Sequence, residues 1–282
     1  MRHMPIFKGP LKSVMACIGG LCSLAASADS CVSLQGDAVQ GGLLWGQALG
    51  ATEIRFADQR VPIMPGGYFV LGLGRDMPAV NTLLVVTEHT CQQDITVTQR
   101  DYVLQRVTGV PQQTVTPSQE QLARTRAERA RVQAAKSRRI ERTDGLEGLR
   151  GGFIWPVTGP ISGVYGSQRI YNGTPGAPHY GVDIARPAGT LVSAPAAGEV
   201  TLAESDLFYS GGTVIIDHGY GLSSSFLHLS QVSVAVGDRL DAGDLLGAVG
   251  ATGRATGPHL DWRMSWFAHR IDPQLLVPPM PD

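Results

Sequence analysis

The sequence predicts a mainly β protein in which two β domains are joined by a basic helix, and three observations lead to this fold class. Glycine is abundant, with 35 residues in a chain of 282. Short apolar runs bounded by glycine or proline turns recur in both halves, which is typical of antiparallel sheets. Charged residues make up only 17% of the chain, below the roughly one quarter of ordinary soluble domains. The length allows one large or two ordinary domains.

The first 28 residues have the features of a secretory signal peptide. A basic opening precedes an apolar run over residues 13–26, and Ala26-Ser27-Ala28 fits the small-residue rule for cleavage. The apolar run is too short to span a bilayer comfortably. We therefore predict cleavage before Asp29, a periplasmic or secreted protein, and no transmembrane segment after cleavage. An uncleaved N-terminal anchor is the alternative.

Cysteine usage agrees with export. Once the predicted signal peptide is removed, only Cys31 and Cys91 remain. A pair of cysteines in an oxidising compartment favours a disulfide bond. The C-terminal half contains no cysteine, so it has neither a thiolate metal ligand nor a cysteine nucleophile. The net charge of -1 gives no reason to expect a nucleic-acid partner.

Residues 29–110 are predicted to form a small all-β domain that resembles a sandwich. Alternating or continuous apolar runs mark its strands, and Pro65-Gly-Gly67 marks a turn. The predicted strands cover 54–56, 68–71, 83–86 and 95–97. No motif in this domain carries chemistry. A targeting, spacing or self-covering role is its expected function.

Residues 111–150 are predicted to form a basic helical linker. Thr116-Pro-Ser-Gln119 resembles a capping box with proline at the first helical position. This segment contains nine basic residues and five acidic ones, and most of the basic residues lie in a helix-favouring stretch. A solvated linker helix is the simpler interpretation. The alternative is a basic face that meets anionic wall polymer or lipid headgroups.

Residues 151–282 are predicted to form a mainly antiparallel β domain that carries the chemistry. Its predicted strands include Val164 and the ranges 181–185, 191–195, 199–202, 213–216, 224–229 and 245–249. His179 and Asp183 lie four positions apart, and His259 and Asp261 share one face of a strand because they are two positions apart. His228 offers a further imidazole, whereas His218 is predicted to be a turn residue. Such nitrogen and oxygen donors suit zinc.

The order H-x-x-x-D, then H-L, then G-P-H-L-D over residues 153–277 resembles the LytM/lysostaphin-type zinc peptidases of family M23, which cut peptide bonds in bacterial peptidoglycan. Trp155-Pro-Val near the start and Asp272-Pro273 near the end support the resemblance. It implies the compact β fold of that family. It also implies a zinc metalloendopeptidase, a hydrolase acting on the cross-links of peptidoglycan stem peptides in the cell wall. D-alanyl–diaminopimelate cross-links are the expected bond class, with glycine bridges or a non-wall peptide as the alternatives.

The resemblance implies site roles position by position. His179 and Asp183 are implied as zinc ligands, with Asp261 at the third ligand position. His228 and His259 match the two catalytic histidines that flank the metal-bound water. One imidazole accepts the proton of that water and the other stabilises the oxyanion. Which ring does which is left open at this point.

One position departs from the family pattern, because the family's last motif ends H-x-H and this chain has Asp261 in place of the second histidine. A carboxylate is a legitimate zinc ligand. Two carboxylates would formally neutralise the ion and so acidify its water less. The alternative function is a non-catalytic LytM-like domain that binds and activates cell-wall amidases, so cell-envelope proteins are possible partners.

Overall fold

A computed structural model describes residues 31–108, 118–138, 149 and 151–281. The predicted signal peptide therefore lies outside the described residues. Residues 31–282 form one compact unit. The fold class is confirmed, because the described residues are mainly antiparallel β structure with one α-helix. No described helix combines the length and the apolar character needed to cross a membrane.

The N-terminal region contains two small sheets whose inner faces share a core. One sheet has the strand order β1-β2-β5 and the other the order β4-β3-β6-β7. Ile54, Phe56 and Phe69 are almost fully buried between them. The predicted disulfide is confirmed, with Cys31 bonded to Cys91 on β7. The bounds are β1 Leu34–Gln35, β2 Leu43–Gln47, β3 Glu53–Phe56, β4 Gln59–Arg60, β5 Tyr68–Gly72, β6 Val80–Val86, β7 Thr90–Thr96 and β8 Leu104–Val107.

Helix α1 spans Gln119–Ser137 and begins later than the sequence suggested. Its N-cap is Ser118, whose hydroxyl accepts a hydrogen bond from the backbone N–H of Gln121. The backbone N–H of Ser118 in turn donates to the side-chain oxygen of Gln121. The capping box is therefore Ser118 to Gln121 rather than Thr116 to Gln119. A serine and a glutamine three apart satisfy two backbone N–H groups at the helix start, which favours this frame.

The basic side chains of α1 fasten it to strand β14. Arg124 pairs with Asp206 at 3.0 Å, and Arg131 pairs with Glu204 at 2.7 Å. The apolar side of the contact is small, with Ala135 packed against residues of β14 and β15. These pairs are exposed, so each contributes only about 0.2–1 kcal/mol. The helix is docked on the sheet rather than solvated on all sides.

An eight-stranded sheet organises the C-terminal region. Its order is β18-β14-β15-β16-β20-β12-β9, with β21 beside β20, and a small sheet β13-β19-β17 accompanies it. Trp262, Phe226 and Ile216 are fully buried in its core. The bounds are β9 Ile161–Gly163, β10 Gln168–Tyr171, β11 Thr174–Pro175, β12 Val182–Ala185, β13 Leu191–Ser193, β14 Gly198–Leu207, β15 Gly211–Gly219, β16 Leu222–Leu229, β17 Gln231–Val232, β18 Arg239–Leu240, β19 Leu245–Ala248, β20 His259–Trp266 and β21 His269–Ile271.

Two predictions for this region are wrong. Val164 lies just after β9 instead of within a strand. His218 is a fully buried residue of β15, not a turn residue. Its Nδ1 lies 2.8 Å from the Ala197 carbonyl and its Nε2 lies 2.7 Å from the Ser224 hydroxyl. These bonds satisfy both ring nitrogens, so His218 is a structural residue of the core.

The N-terminal and C-terminal regions share one hydrophobic core. Phe56 meets Trp266 with the ring centroids 6.2 Å apart. Gly72 lies so close to Trp266 that a side chain there would overlap the indole ring. Arg100 pairs with the buried Asp272 at 2.8 Å. The N-terminal region is thus held against the end of strand β20, the strand that carries the candidate site.

Candidate metal centre and its flanking histidines

Two carboxylates face each other across neighbouring strands at the centre of the site. Asp183 on β12 lies directly opposite Asp261 on β20 in an antiparallel pair. Like charges in that arrangement destabilise a sheet unless a cation lies between them. Gly163 on β9 makes room for the Asp183 side chain, because a Cβ at that position would overlap the carboxylate. The backbone therefore brings two anionic groups to one point on the sheet.

His179 completes the cluster from the loop that precedes β12. Its backbone is fixed by two hydrogen bonds of 2.7 Å, to the Ser167 carbonyl and from the Gly166 N–H. Its Nδ1 lies 3.3 Å from the Val164 carbonyl, which turns Nε2 toward the carboxylates. Metal-binding histidines usually donate their second ring N–H in this way. Nε2 lies 3.0 Å from Asp183 Oδ1 and 3.6 Å from Asp261 Oδ2.

The donor atoms of His179, Asp183 and Asp261 fit a small divalent ion. One donor atom from each of the three lies within 4.8 Å of the other two. Atoms that each lie about 2.1 Å from one tetrahedral zinc ion would be roughly 3.4 Å apart. His179 Nε2 and Asp183 Oδ1 are buried and have no hydrogen-bond partner of good geometry among the described residues. Buried polar atoms without a partner are costly, so the cluster is suited to a bound cation.

The pKa of His179 also indicates that the cluster is suited to a bound cation. Burial by itself would lower the pKa of the ring, but the adjacent Asp183 and Asp261 carboxylates outweigh it and raise the pKa to about 10. The two carboxylates thus attract positive charge to this position. Without metal, the ring carries a proton at neutral pH, and a metal ion must displace that proton.

His228 and His259 lie beside the cluster, and each is anchored through Nδ1 to a backbone carbonyl. Their ring centroids are 4.9 Å apart. Nδ1 of His228 lies 2.9 Å from the Thr252 carbonyl, and Nδ1 of His259 lies 2.8 Å from the Gly257 carbonyl. A carbonyl can only accept, so each Nδ1 carries a proton and Nε2 is the ring nitrogen that can hold a lone pair. His259 Nε2 lies 3.8 Å from Asp183 Oδ1.

The backbone at His228 explains how its ring reaches this face of the sheet. Leu227 is paired with Asp261 and shares its face, so regular alternation would direct the next side chain to the opposite face. His228 instead has a left-handed conformation with φ of 65°, and the pairing of β15 with β16 shifts register nearby. Histidine tolerates this region better than most residues do. Burial lowers the pKa of His228 and keeps the ring neutral.

Arg263 is a site residue for which no functional role was predicted from the sequence. Its Nε donates to both Asp261 oxygens, at 2.9 and 3.0 Å, and its Nη2 donates to Oδ2 at 2.5 Å. Gly181 permits this approach, because a Cβ there would lie 2.6 Å from both the Arg263 stem and Asp261 Oδ1. The two-residue spacing of Asp261 and Arg263 on one strand face was the available signal. Such forked pairs fix a carboxylate firmly.

The buried pair of Asp261 and Arg263 is strongly coupled. Asp261 is only 2% exposed. Burial alone would raise its pKa, but Arg263 and His179 outweigh burial and hold the pKa below its usual range. Burial alone would likewise lower the pKa of Arg263, and Asp261 raises it. Both groups are therefore charged throughout the neutral range.

The structure brings all five predicted site residues together: His179, Asp183, His228, His259 and Asp261. Asp261 pairs with Arg263 and also faces the cluster, because its Oδ2 lies 3.6 Å from His179 Nε2. The site lies on the same face of the sheet as α1, because Arg263 is in register with Ser225, Ile215 and Leu202, and Leu202 and Ile215 contact the helix.

Comparison with known proteins agrees with this geometry. The family model of peptidase family M23 matches residues 177–273, which include all five site residues. The cell division protein DipM of Caulobacter vibrioides is 33% identical over 135 residues, which are 46% of this chain and 21% of DipM. The peptidoglycan DD-endopeptidase ShyA of Vibrio cholerae is 40% identical over 88 residues, which are 31% of this chain and 20% of ShyA.

A third relative is the DD-carboxypeptidase/endopeptidase Mpg of Neisseria meningitidis, 38% identical over 104 residues, which are 37% of this chain and 24% of Mpg. This chain thus spans about a quarter or less of the curated relatives it matches. A crystal structure described as a peptidase M23 from Pseudomonas aeruginosa superposes with a TM-score of 0.63 at 31% identity. That likeness covers 85% of this chain and 94% of the other. By its matched site residues and its likeness to that structure over nearly its whole length, the chain belongs to peptidase family M23.

Proposed function

We propose that the protein is a zinc metalloendopeptidase that hydrolyses peptide cross-links of peptidoglycan. The observation that carries the proposal is the cluster of His179, Asp183 and Asp261, flanked by two imidazoles that are each anchored through Nδ1. Three protein ligands with an open position characterise catalytic zinc sites, whereas structural sites are closed by four. The relative ShyA, named as a peptidoglycan DD-endopeptidase, supports the substrate class. A periplasmic or secreted location follows from that substrate.

His179 Nε2 and one oxygen each of Asp183 and Asp261 would hold the ion. When bound, zinc supplies Lewis acidity that polarises a water molecule and the scissile carbonyl. Asp183 is held by its place on β12, and His179 by its bond to the Val164 carbonyl. The ligand set is therefore arranged before the metal arrives, which reduces the cost of binding.

His228 and His259 provide the proton transfers. Each ring is anchored through Nδ1 to a backbone carbonyl, which leaves Nε2 as the nitrogen that can accept a proton. One Nε2 accepts the proton of the attacking water, and the other ring, once protonated, donates a hydrogen bond to the developing oxyanion. The lowered pKa of His228 suits the role of base, because a neutral ring is ready to accept the proton.

Arg263 offsets the second carboxylate of the ligand set. A divalent ion with two carboxylates and a neutral imidazole would have no net charge. The Arg263 guanidinium, bonded to both oxygens of Asp261, returns one positive charge to the site. The total then equals that of an ion with one carboxylate and two imidazoles. Arg263 thereby limits the loss of water acidity that Asp261 would otherwise cause.

The same fork supports a second candidate function. Arg263 already neutralises Asp261, so the pair can be stable without a metal ion. In that case the domain would be non-catalytic and would act by binding and activating cell-wall amidases. Zinc content separates the two candidates, because an activator needs no metal.

Digestion of purified sacculi with the zinc-loaded protein, followed by analysis of the released muropeptides, tests the proposed function. We expect cross-linked dimers to fall and monomers to rise, with D-alanyl–diaminopimelate bonds as the expected site of cleavage. His259→Ala should abolish this conversion. His89→Ala is the matched control, because His89 is an exposed residue in the turn between β6 and β7 and should leave activity unchanged. Intact cross-links after incubation with the zinc-loaded protein would favour the activator function.

A further inference from the structure

A cavity of about 550 Å³ lies where the N-terminal region meets strand β21. Its lining includes Asp58, Arg75, Asp76, Tyr180, His269 and Arg270. Tyr180, one of the lining residues, directly follows the candidate ligand His179 in the sequence. The volume is within the usual range of small-ligand sites, about 300–1,000 Å³.

Arg270 is a partly buried cavity residue that has no counter-ion within ion-pair distance in the described part of the chain. Its Nη1 donates to the Ser265 hydroxyl at 2.8 Å, and no described carboxylate lies within ion-pair distance. The side chain is partly buried. Burial and the neighbouring Arg263 lower the pKa of Arg270, which reflects a charge that the protein does not balance. A partly buried guanidinium with unused donors is suited to an anionic ligand.

The other charged groups around the cavity do not compensate Arg270. Arg75 and Asp76 are paired at 2.5 Å, and Asp76 is 70% exposed. Arg75 also donates to the Gly166 carbonyl and lies over the Tyr102 ring at 4.4 Å. Asp58 is exposed. Burial lowers the pKa of His269, which keeps that ring neutral.

Arg270 lies on the same face of the sheet as the metal cluster. It is paired with Ser265 across β20 and β21 and bonded to the Ser265 hydroxyl. Ser265 lies four residues beyond Asp261 on β20, so the two point to the same face, about 13 Å apart. An extended peptide covers that distance with about four residues. That is the length of extended peptide that would separate a group at the metal cluster from a group at Arg270. Lys136 of α1 also lies near Arg270 and Arg263, and its pKa is lowered by burial and by these two charges.

We propose that this cavity is a subsite in which Arg270 binds a free carboxylate of the peptide substrate, three or four residues from the bond that is cut. The inference rests on the proposed function, since it assigns one of the groups by which the same site would recognise its substrate. Acidic stem peptides of peptidoglycan fit this requirement. A neutral peptide would leave the Arg270 guanidinium without a counter-ion.

Binding of a peptide to the metal-free protein tests the subsite without relying on catalysis. The probe is a synthetic peptidoglycan stem tetrapeptide, and its partner probe has every carboxylate converted to a carboxamide. We expect isothermal titration to show that the acid form binds roughly 10- to 100-fold more tightly than the amide, because charge-assisted hydrogen bonds differ from neutral ones by that order. Arg270→Gln should remove that difference, and Arg270→Lys should restore part of it.

Arg60→Gln is the control, because Arg60 is exposed on β4 and does not line the cavity. Thermal unfolding shows whether Arg270→Gln folds, and Gln can still donate toward Ser265. Equal affinity of wild type and Arg270→Gln for the acid form would overturn the proposal, and so would an absence of binding by wild type. A protein that binds the acid form through Arg270 but leaves sacculi intact would keep the subsite and refute the proposed hydrolysis.

Discussion

Replacing Arg263 by methionine isolates the role of the buried fork at the site. Methionine keeps most of the aliphatic volume of the side chain but removes the guanidinium. Asp261 is 2% exposed and would lose three of its hydrogen bonds at once. An uncompensated carboxylate would then remain inside the protein, next to Asp183 on the opposite strand.

The expected cost follows from that burial. Breaking a buried ion pair from one side costs about 3–5 kcal/mol. His179 Nε2 lies 3.6 Å from Asp261 Oδ2 and still offers that carboxylate a positive charge. We therefore expect a cost toward the lower end of this range. A loss of about 3 kcal/mol corresponds to a fall in Tm of about 6–12 °C for a unit of this size. Zinc should recover much of the loss, since a ligand at 100 times its Kd stabilises by about 2.7 kcal/mol.

Thermal unfolding followed by circular dichroism, with chelator and with excess zinc, measures both effects. The double variant Asp261→Asn with Arg263→Met is the control, because it removes both charges and should be more stable in chelator than Arg263→Met alone. If the free energy of unfolding of Arg263→Met in chelator is within about 1 kcal/mol of the wild-type value, Arg263 is not the counter-ion of a buried Asp261.

Four further predictions concern the metal, the flanking base and the N-terminal region. His179→Ala should fold yet bind no zinc in elemental analysis, because one of three ligands is lost; full zinc occupancy would contradict this. Asp261→His should shift the alkaline side of the activity profile to lower pH, since a neutral ligand leaves the ion more positive; an unchanged profile would exclude Asp261 as a ligand. Burial lowers the pKa of His228 from 6.5, so the ring is neutral above that lowered value and kcat/KM should begin to fall only below pH 6.5; a fall that begins above it would exclude His228 as the base. Replacing Cys31 and Cys91 by serine should cost about 4 kcal/mol in denaturant unfolding, for a separation of 60 residues; a change below about 1 kcal/mol would contradict this.

The sequence predicted the clustered site residues because they form an ordered pattern that local spacing preserves. His259 and Asp261 are two apart on one strand, so their shared face follows from strand geometry. The disulfide followed from cysteine count and the expected export. These features depend on neighbours in sequence or on a recurring motif, which sequence reasoning can detect.

The features that the sequence could not predict depend on backbone exceptions and distant contacts. The left-handed conformation of His228 breaks strand alternation, and nothing local marks it. The fork of Arg263 on Asp261 needs the space that Gly181 leaves beside both side chains. The sequence predicted a solvated α1 because Asp206 and Glu204, the partners of Arg124 and Arg131 on β14, lie more than seventy residues away.

Anomalous diffraction at the zinc absorption edge, from crystals of the zinc-loaded protein, tests the central claim most directly. We predict one strong peak per chain, about 2.0–2.2 Å from His179 Nε2 and from one oxygen each of Asp183 and Asp261. His228 and His259 should face the open coordination position without binding the ion. The absence of a peak, or a zinc ion bound without Asp261 while that carboxylate stays paired only with Arg263, would contradict the proposed metal centre.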